Sequence, residues 1–222
     1  KIMPINLIIG VSITLLVIGL IQKTGSIEQW IALGIAIYAV ISWAQMLAIR
    51  DPVAFGMIFR CKALLYAIFG VSAVLLGTGG AGFWAIPFLQ RYHGVNVADV
   101  GTILGLGGIA VGLVGIVLGG MLADKLRTRS AKGKLYVVLG GLALASVSML
   151  IVFAADYLPV TYGAYFLFGF AFNMIIGPIA STINDLVLPR VRASVTAFYF
   201  MLAGLTVGAL GPYIVGYFSD VM

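Results

Sequence analysis

The chain is predicted to be all-α, a polytopic transmembrane helix bundle of about seven spans. Three observations carry that prediction. The composition is 62% hydrophobic and only 9% charged, whereas a soluble domain carries about 25% charged residues; such a chain cannot cover itself with a wetted surface. The apolar residues fall into runs at 5–22, 28–49, 63–89, 99–122, 134–155, 160–184 and 193–217, each near the roughly 20 residues that cross a hydrocarbon core. Finally, the basic residues gather in alternate connections. With the N-terminus placed in the cytoplasm, only Lys23 and Arg91 of the 13 lysines and arginines fall outside. Lys1, Arg50, Arg60, Lys62, Lys125, Arg127, Arg129, Lys132, Lys134, Arg190 and Arg192 all fall inside. This is the positive-inside asymmetry of an integral membrane protein, and it sends residue 222 to the outer side. The net charge of +6 is therefore topology information, and no nucleic-acid partner is expected.

The first run is followed by no small-residue cleavage site, so it reads as a span rather than a leader. The chain begins at Lys1 and reads as a piece of something longer. Lys23-Thr-Gly-Ser26 makes a tight turn into the second span. Residues 50–62 are the one longer polar stretch, an amphipathic linker with Val53, Phe55, Met57, Ile58 and Phe59 between charged ends, suited to the membrane surface. The single cysteine, Cys61, lies between Arg60 and Lys62. That setting suits a lowered pKa or acylation, but an inert thiol is the expectation.

The third span contains Gly77-Thr78-Gly79-Gly80-Ala81-Gly82 before Phe83-Trp84-Ala85-Ile86-Pro87. The letters satisfy G-x-G-x-x-G, but a dinucleotide site needs a preceding strand and a soluble crossover. At membrane depth the run reads instead as a weakened helix that bends, with Pro87 removing a donor near its outer end. The fourth span carries Gly101, Gly105, Gly108, Gly112, Gly115 and Gly119 in alternating steps of four and three. On a helix these fall on one face, and in lipid a small-residue face marks close helix packing. It ends in Gly120-Met-Leu-Ala-Asp124-Lys125 with Arg127 and Arg129 beyond.

Asp156-Tyr-Leu-Pro159 turns the fifth span into the sixth. Asn173 lies at membrane depth in the sixth span and must find a hydrogen bond, either as glue between helices or along a pathway. Asp185, near the inner surface, is expected to snorkel or to pair with Arg190 or Arg192, and Lys125, Arg127 and Arg129 are placed to add charge pairs to Asp185 or to lipid headgroups. The seventh span carries Gly204, Gly208, Gly211 and Gly216, a second small face expected to meet that of the fourth span. His93, the only histidine, sits outside beside Arg91, where it is a solvated loop residue or one that titrates with external pH. One histidine, one cysteine and scattered acids leave no metal cluster. No nucleophile–base pair is legible either, so no catalytic residue, no metal and no cofactor is expected.

Residues 120–129 resemble the loop signature of the major facilitator superfamily, which reads roughly G-x-L-A-D-R/K-x-G-R-R/K. Arg127 replaces its usual glycine and Thr128 its usual arginine, while Arg129 fits. Pro189-Arg190-Val-Arg192-Ala-Ser194, followed by Gly208-Ala-Leu-Gly211-Pro212 and Gly216, looks like the helix 10–11 region of such proteins, and residues 50–62 look like their central cytoplasmic linker. The resemblance implies that 1–49 hold the last two helices of an N-terminal bundle, 50–62 the linker, and 63–222 a C-terminal bundle of five helices without its final one. Phe83-Trp84 to Phe88-Leu89, the Arg91-Tyr92-His93-Gly94 loop and the 177–190 segment look similar to spinster-like lipid transporters and to prokaryotic organic-anion and sugar-acid carriers.

On that footing the expected function is secondary active or facilitative transport of small organic or amphipathic solutes by alternating access, in a bacterial inner membrane. The expected partners are a small-molecule or lipid-like substrate, protons as a coupling ion, membrane lipids, and the remaining helices of the same transporter. Thr78, Phe83, Trp84, Asn173 and Tyr199 would line the substrate pathway, with the fifth span peripheral. Gly120, Asp124, Lys125, Arg129, Asp185 and Arg192 would form a conformational clamp. A carboxylate at Asp124 is suited to the free N–H groups at the start of the seventh span, and this reading is preferred to that of a mere marker of the water boundary. No acid or base lies at the centre of any span, where coupling charges would be expected; they sit on other helices, or transport is facilitative. The alternatives are a membrane-embedded lipid-acting enzyme and a non-transporting, truncated carrier homologue.

Overall fold

A computed structural model describes residues 2–25 and 27–221. Lys1 and Met222, which carry the expected orientation of the two ends, and Ser26 of the first turn lie outside the described residues. The described residues form helices and short connections, with no strand among them. The helices are α1 (Ile2–Thr24), α2 (Ile27–Arg50), α3 (Pro52–Arg60), α4 (Lys62–His93), α5 (Val97–Arg129), α6 (Gly133–Ala154), α7 (Leu158–Asp185), α8 (Arg192–Gly204) and α9 (Gly211–Val221). Seven segments among the described residues are long and apolar enough to cross a membrane: α1, α2, α4, α5, α6, α7, and a last one running through α8 and α9.

The connections follow from local chemistry. Gly25 and Gly94 adopt left-handed backbone angles, φ 75° and 65°, and end α1 and α4 sharply. Asn96 starts α5 by accepting the Ala98 N–H at 3.1 Å, and Asp51 starts α3 by accepting the Ala54 N–H at 3.0 Å. Gly133 lets the start of α6 lie on the backbone of Leu126 and Arg127, which closes the basic turn between α5 and α6 tightly.

The expected weak point of the third span does not break its helix. The glycine run of the third span stays helical through α4, and Pro87 is accommodated within it. The irregularity is in the seventh span, where Leu205–Leu210 widen into a π-helical segment and the Gly211 N–H reaches back to the Thr206 carbonyl. Pro212 explains the position: it has no N–H for the carbonyl four residues earlier, and its ring crowds that carbonyl.

The α7 helix packs between α5 and α6, and α4 packs along α8, the π segment and α9. The α1–α2 hairpin sets Val17, Trp30 and Leu33 against Leu205, Leu210 and Tyr213. Two expectations change. The fifth span, α6, is the most deeply buried of the seven rather than peripheral, because Gly141 and its neighbours lie close against Ala171, Met174 and Ile175 of α7. The linker helix α3 turns Ala54 and Ile58 into the core beside Leu64, Val191 and Val195, so its apolar face meets protein, and only the flank with Val53 is left open.

Candidate functional site

Two seams of close backbone contact organise the bundle. In the first, Gly112, Gly115 and Gly119 of α5 face α7. A Cβ at Gly115 would lie 2.6 Å from the Phe170 carbonyl oxygen, and one at Gly119 would overlap the Met174 carbonyl. In the second, α4 meets α9. A Cβ at Gly80 would lie 2.5 Å from the Gly211 carbonyl oxygen, and one at Gly211 would lie 2.7 Å from that of Leu76. Without side chains between them the backbones gain dispersion contacts that lipid cannot supply. The expected pairing of the fourth span with the seventh is thus replaced by two separate pairings, α5 with α7 and α4 with α9. Gly101, Gly105 and Gly108 of the stripe, with Gly204 and Gly208, have nothing within 4 Å of a built Cβ, so a side chain at these positions would meet open space among the described residues.

The expected pathway residues separate in the same way. Thr78 is buried, bonds its hydroxyl to the Val74 carbonyl at 3.0 Å, and lines a groove of about 410 Å³ between α4 and α6 with Ser146, Met149 and Phe153. Asn173 donates to the Gly169 carbonyl of its own helix at 2.8 Å, with its amide in the notch left by Gly112; its hydrogen bond is not a link between helices. Trp84 donates its indole N–H to the Pro212 carbonyl at 2.7 Å and fills the space beside Gly216, so it holds the α4–α9 seam. Phe83 is exposed. Tyr199 is buried in the main apolar cluster with Val195 and Phe198.

At the end of the bundle that carries the basic turn between α5 and α6, Lys134 is buried in the first turn of α6. Its ammonium donates to Ser181 at 2.5 Å and to the Asp185 carboxylate at 2.6 Å. Arg127 approaches the same carboxylate oxygen at 3.8 Å. Asp185 therefore pairs across to the α5–α6 turn and not with Arg190 or Arg192. Arg192 donates instead to the Asn184 carbonyl at 3.2 Å, and Arg190 reaches Asp51 at 2.9 Å. Asp51 is held ionised below the usual carboxylate range, first by the Ala54 N–H; partial burial acts against this, and the Arg190 guanidinium adds to it.

Asp124, Lys125 and Arg129 are exposed, and their side chains form no hydrogen bond or ion pair among the described residues. Asp124 follows Ala123, which continues the buried Gly115 and Gly119 face; one residue further is about 100° round the helix and off the contact. Gly120 lies off it for the same reason, with nothing near a built Cβ. The contact expected between Asp124 and the start of the seventh span is not formed in this structure; the carboxylates engaged at this end are Asp185, with Lys134, and Asp51, with Arg190.

The sequence profile of the Major Facilitator Superfamily matches residues 2–212. The chain belongs to the major facilitator superfamily. It is an integral membrane protein of a family of transporters rather than enzymes. As a superfamily member it is 28% identical over 182 residues to an MFS-type efflux pump of Mycolicibacterium smegmatis (strain ATCC 700084 / mc(2)155), a match covering 78% of this chain and 41% of that protein. It is 24% identical over 176 residues to Protein spinster homolog 3 of Danio rerio, covering 73% of this chain and 35% of that protein. The chain thus spans less than half the length of either relative. No solved structure matches it.

Two features of this superfamily chain escaped the sequence. The Lys134–Asp185 pair had a signal: opposite charges end consecutive antiparallel spans at the same depth. The Asp51–Arg190 pair had none, since the two residues lie 139 positions apart.

Proposed function

We propose that the chain is the central and C-terminal part of a secondary transporter that moves small organic or amphipathic solutes across a bacterial inner membrane by alternating access. The observation that carries this is the combination of glycine-tight seams with a charge cluster at the end of one of them. The α5–α7 seam lets two helices shift along each other without interlocked side chains, and Lys134, Asp185 and Arg127 close its inner end with bonds that can break and re-form. Alternating access, in which helices or bundles move against one another, uses contacts of this kind that open and close at their ends.

In this reading residues 1–49 close the N-terminal bundle, 50–62 form the linker, and 63–222 belong to the C-terminal bundle, with the basic connections in the cytoplasm. The open small face of Gly101, Gly105 and Gly108 meets the remaining helices of the transporter. Thr78 and its groove supply hydroxyls at membrane depth, and Asp124 with Lys125 and Arg129 engages its partner in another conformational state. The efflux relative makes export the first direction to test. The experiment is transport by the full-length protein in proteoliposomes, with organic anions, lipophilic cations and lysolipids, with and without a proton gradient. Accumulation or release above that of protein-free vesicles, for at least one class, supports the proposal; no transport of any class in either direction overturns it.

A further inference from the structure

We propose that Asp51 and Arg190 form a clasp that straps the linker helix α3 across the start of α8, and that opening this clasp uncovers the groove in which Cys61 lies. The role of this movement in transport rests on the proposed function; the clasp itself does not.

Asp51 uses its two carboxylate oxygens for two tasks. Oδ1 accepts the Ala54 N–H at 3.0 Å and starts α3. Oδ2 accepts from the Arg190 guanidinium at 2.9 Å, in the 3₁₀ turn Pro189–Val191 that leads into α8. The strap is then continued by aromatic rings. Phe55 stands 4.5 Å from Phe59, Phe59 stands 5.4 Å from Phe198 of α8, and Phe198 stacks on Trp43 of α2 at 5.5 Å, with the ring planes 7° apart. Ile58 and Ala54 complete the buried face. One nine-residue helix thereby ties α2 to α8, the element that passes into the π-helical segment and the α4–α9 seam. A change at that seam has to carry the strap with it or detach from it.

The layout suits detachment. Arg190 is largely exposed, with 73% of its side chain open to solvent, so the ion pair is modest and reversible. Cys61 ends α3 and lines a groove of about 480 Å³ together with Gly56, Met57, Arg60 and the 185–188 connection. That connection leads directly to Arg190, so releasing the clasp widens the groove over the thiol.

The test is the labelling rate of Cys61 by N-ethylmaleimide in the full-length protein in lipid nanodiscs, read on the Cys61 peptide by mass spectrometry. Asp51→Ser keeps a capping oxygen and removes only the bridge; Arg190→Gln removes the other partner. Both are expected to raise the rate roughly two- to five-fold, the range a partly exposed pair supports. The double variant should rise no further than either single one, because all three break the same contact. The two substitutions change the local field on the thiol in opposite senses, so rates moving in opposite directions would mean electrostatics alone and overturn the clasp. Unchanged rates, or effects that add, overturn it as well. Thermal unfolding of each variant establishes that it is folded before its rate is used. Because labelling needs no substrate, the clasp can fail while transport is observed, or hold while it is not.

Discussion

A lysine in the first turn of a helix faces the positive end of the helix dipole, and burial removes its water as well. Lys134 occupies such a place at the start of α6, while Asp185 ends α7, where the dipole disfavours a carboxylate. Each corrects the other at 2.6 Å, and Ser181 takes a second ammonium proton. The pair should therefore be asymmetric under substitution. Asp185→Asn leaves a buried cation with only a neutral partner, at an expected cost of about 1–3 kcal/mol; a fully buried pair would lose roughly 3–5, and the part of Asp185 that reaches water reduces it. Lys134→Met removes the buried charge itself and leaves Asp185 to Arg127 and solvent, so it should cost less. Thermal unfolding of the full-length protein in detergent compares the two; an Asp185→Asn midpoint equal to that of the wild type would mean the pair contributes nothing.

The α5 helix poses the matching question for an element. Its stripe of glycines was legible in the sequence as a face, and the close packing of Gly112, Gly115 and Gly119 follows from that face. Periodicity gives a face but not the helix that meets it, and the partner is α7 rather than the seventh span. Nor does it give the line of contact. Towards its N-terminal end α5 buries Val100 and Leu104, and Gly107 lies against Phe166, so the contact winds roughly 100° round the helix. The remaining glycines of the stripe are left open. One substitution at two positions separates these cases. Gly119→Ala drives a methyl into the Met174 carbonyl and should destabilise by about 1–3 kcal/mol, as overpacking does. Gly108→Ala meets nothing and should be neutral or stabilising by up to about 1 kcal/mol through helix propensity. Similar unfolding midpoints for the two would mean that α5 and α7 are not in backbone contact. The spans were legible for a simpler reason: hydropathy reports each helix singly, whereas the pairs Trp84–Pro212 and Asp51–Arg190 depend on tertiary placement that no local pattern encodes.

For the whole molecule, the informative surface is the one that no described residue covers. Gly101, Gly105 and Gly108 run down one side of α5 with open space beside them, and the chain spans 41% and 35% of the lengths of its two relatives. Three glycines facing acyl chains would gain no packing while keeping the roughly 1 kcal/mol disadvantage of each against alanine. Facing a further helix they permit backbone approach, which is what small-residue stripes provide in membranes. The two situations predict different behaviour for Gly105→Leu in the full-length protein. Against lipid the leucine is an apolar side chain in an apolar solvent, and transport in proteoliposomes should be unchanged. Against a neighbouring bundle it props the two surfaces apart, and turnover should fall at least ten-fold while α5 and α7, whose contact lies on Gly112, Gly115 and Gly119, stay packed. A loss of turnover with Cys61 labelling still at its wild-type rate would place the moving interface on the open side of α5. Transport at the wild-type rate would return that face to the lipid.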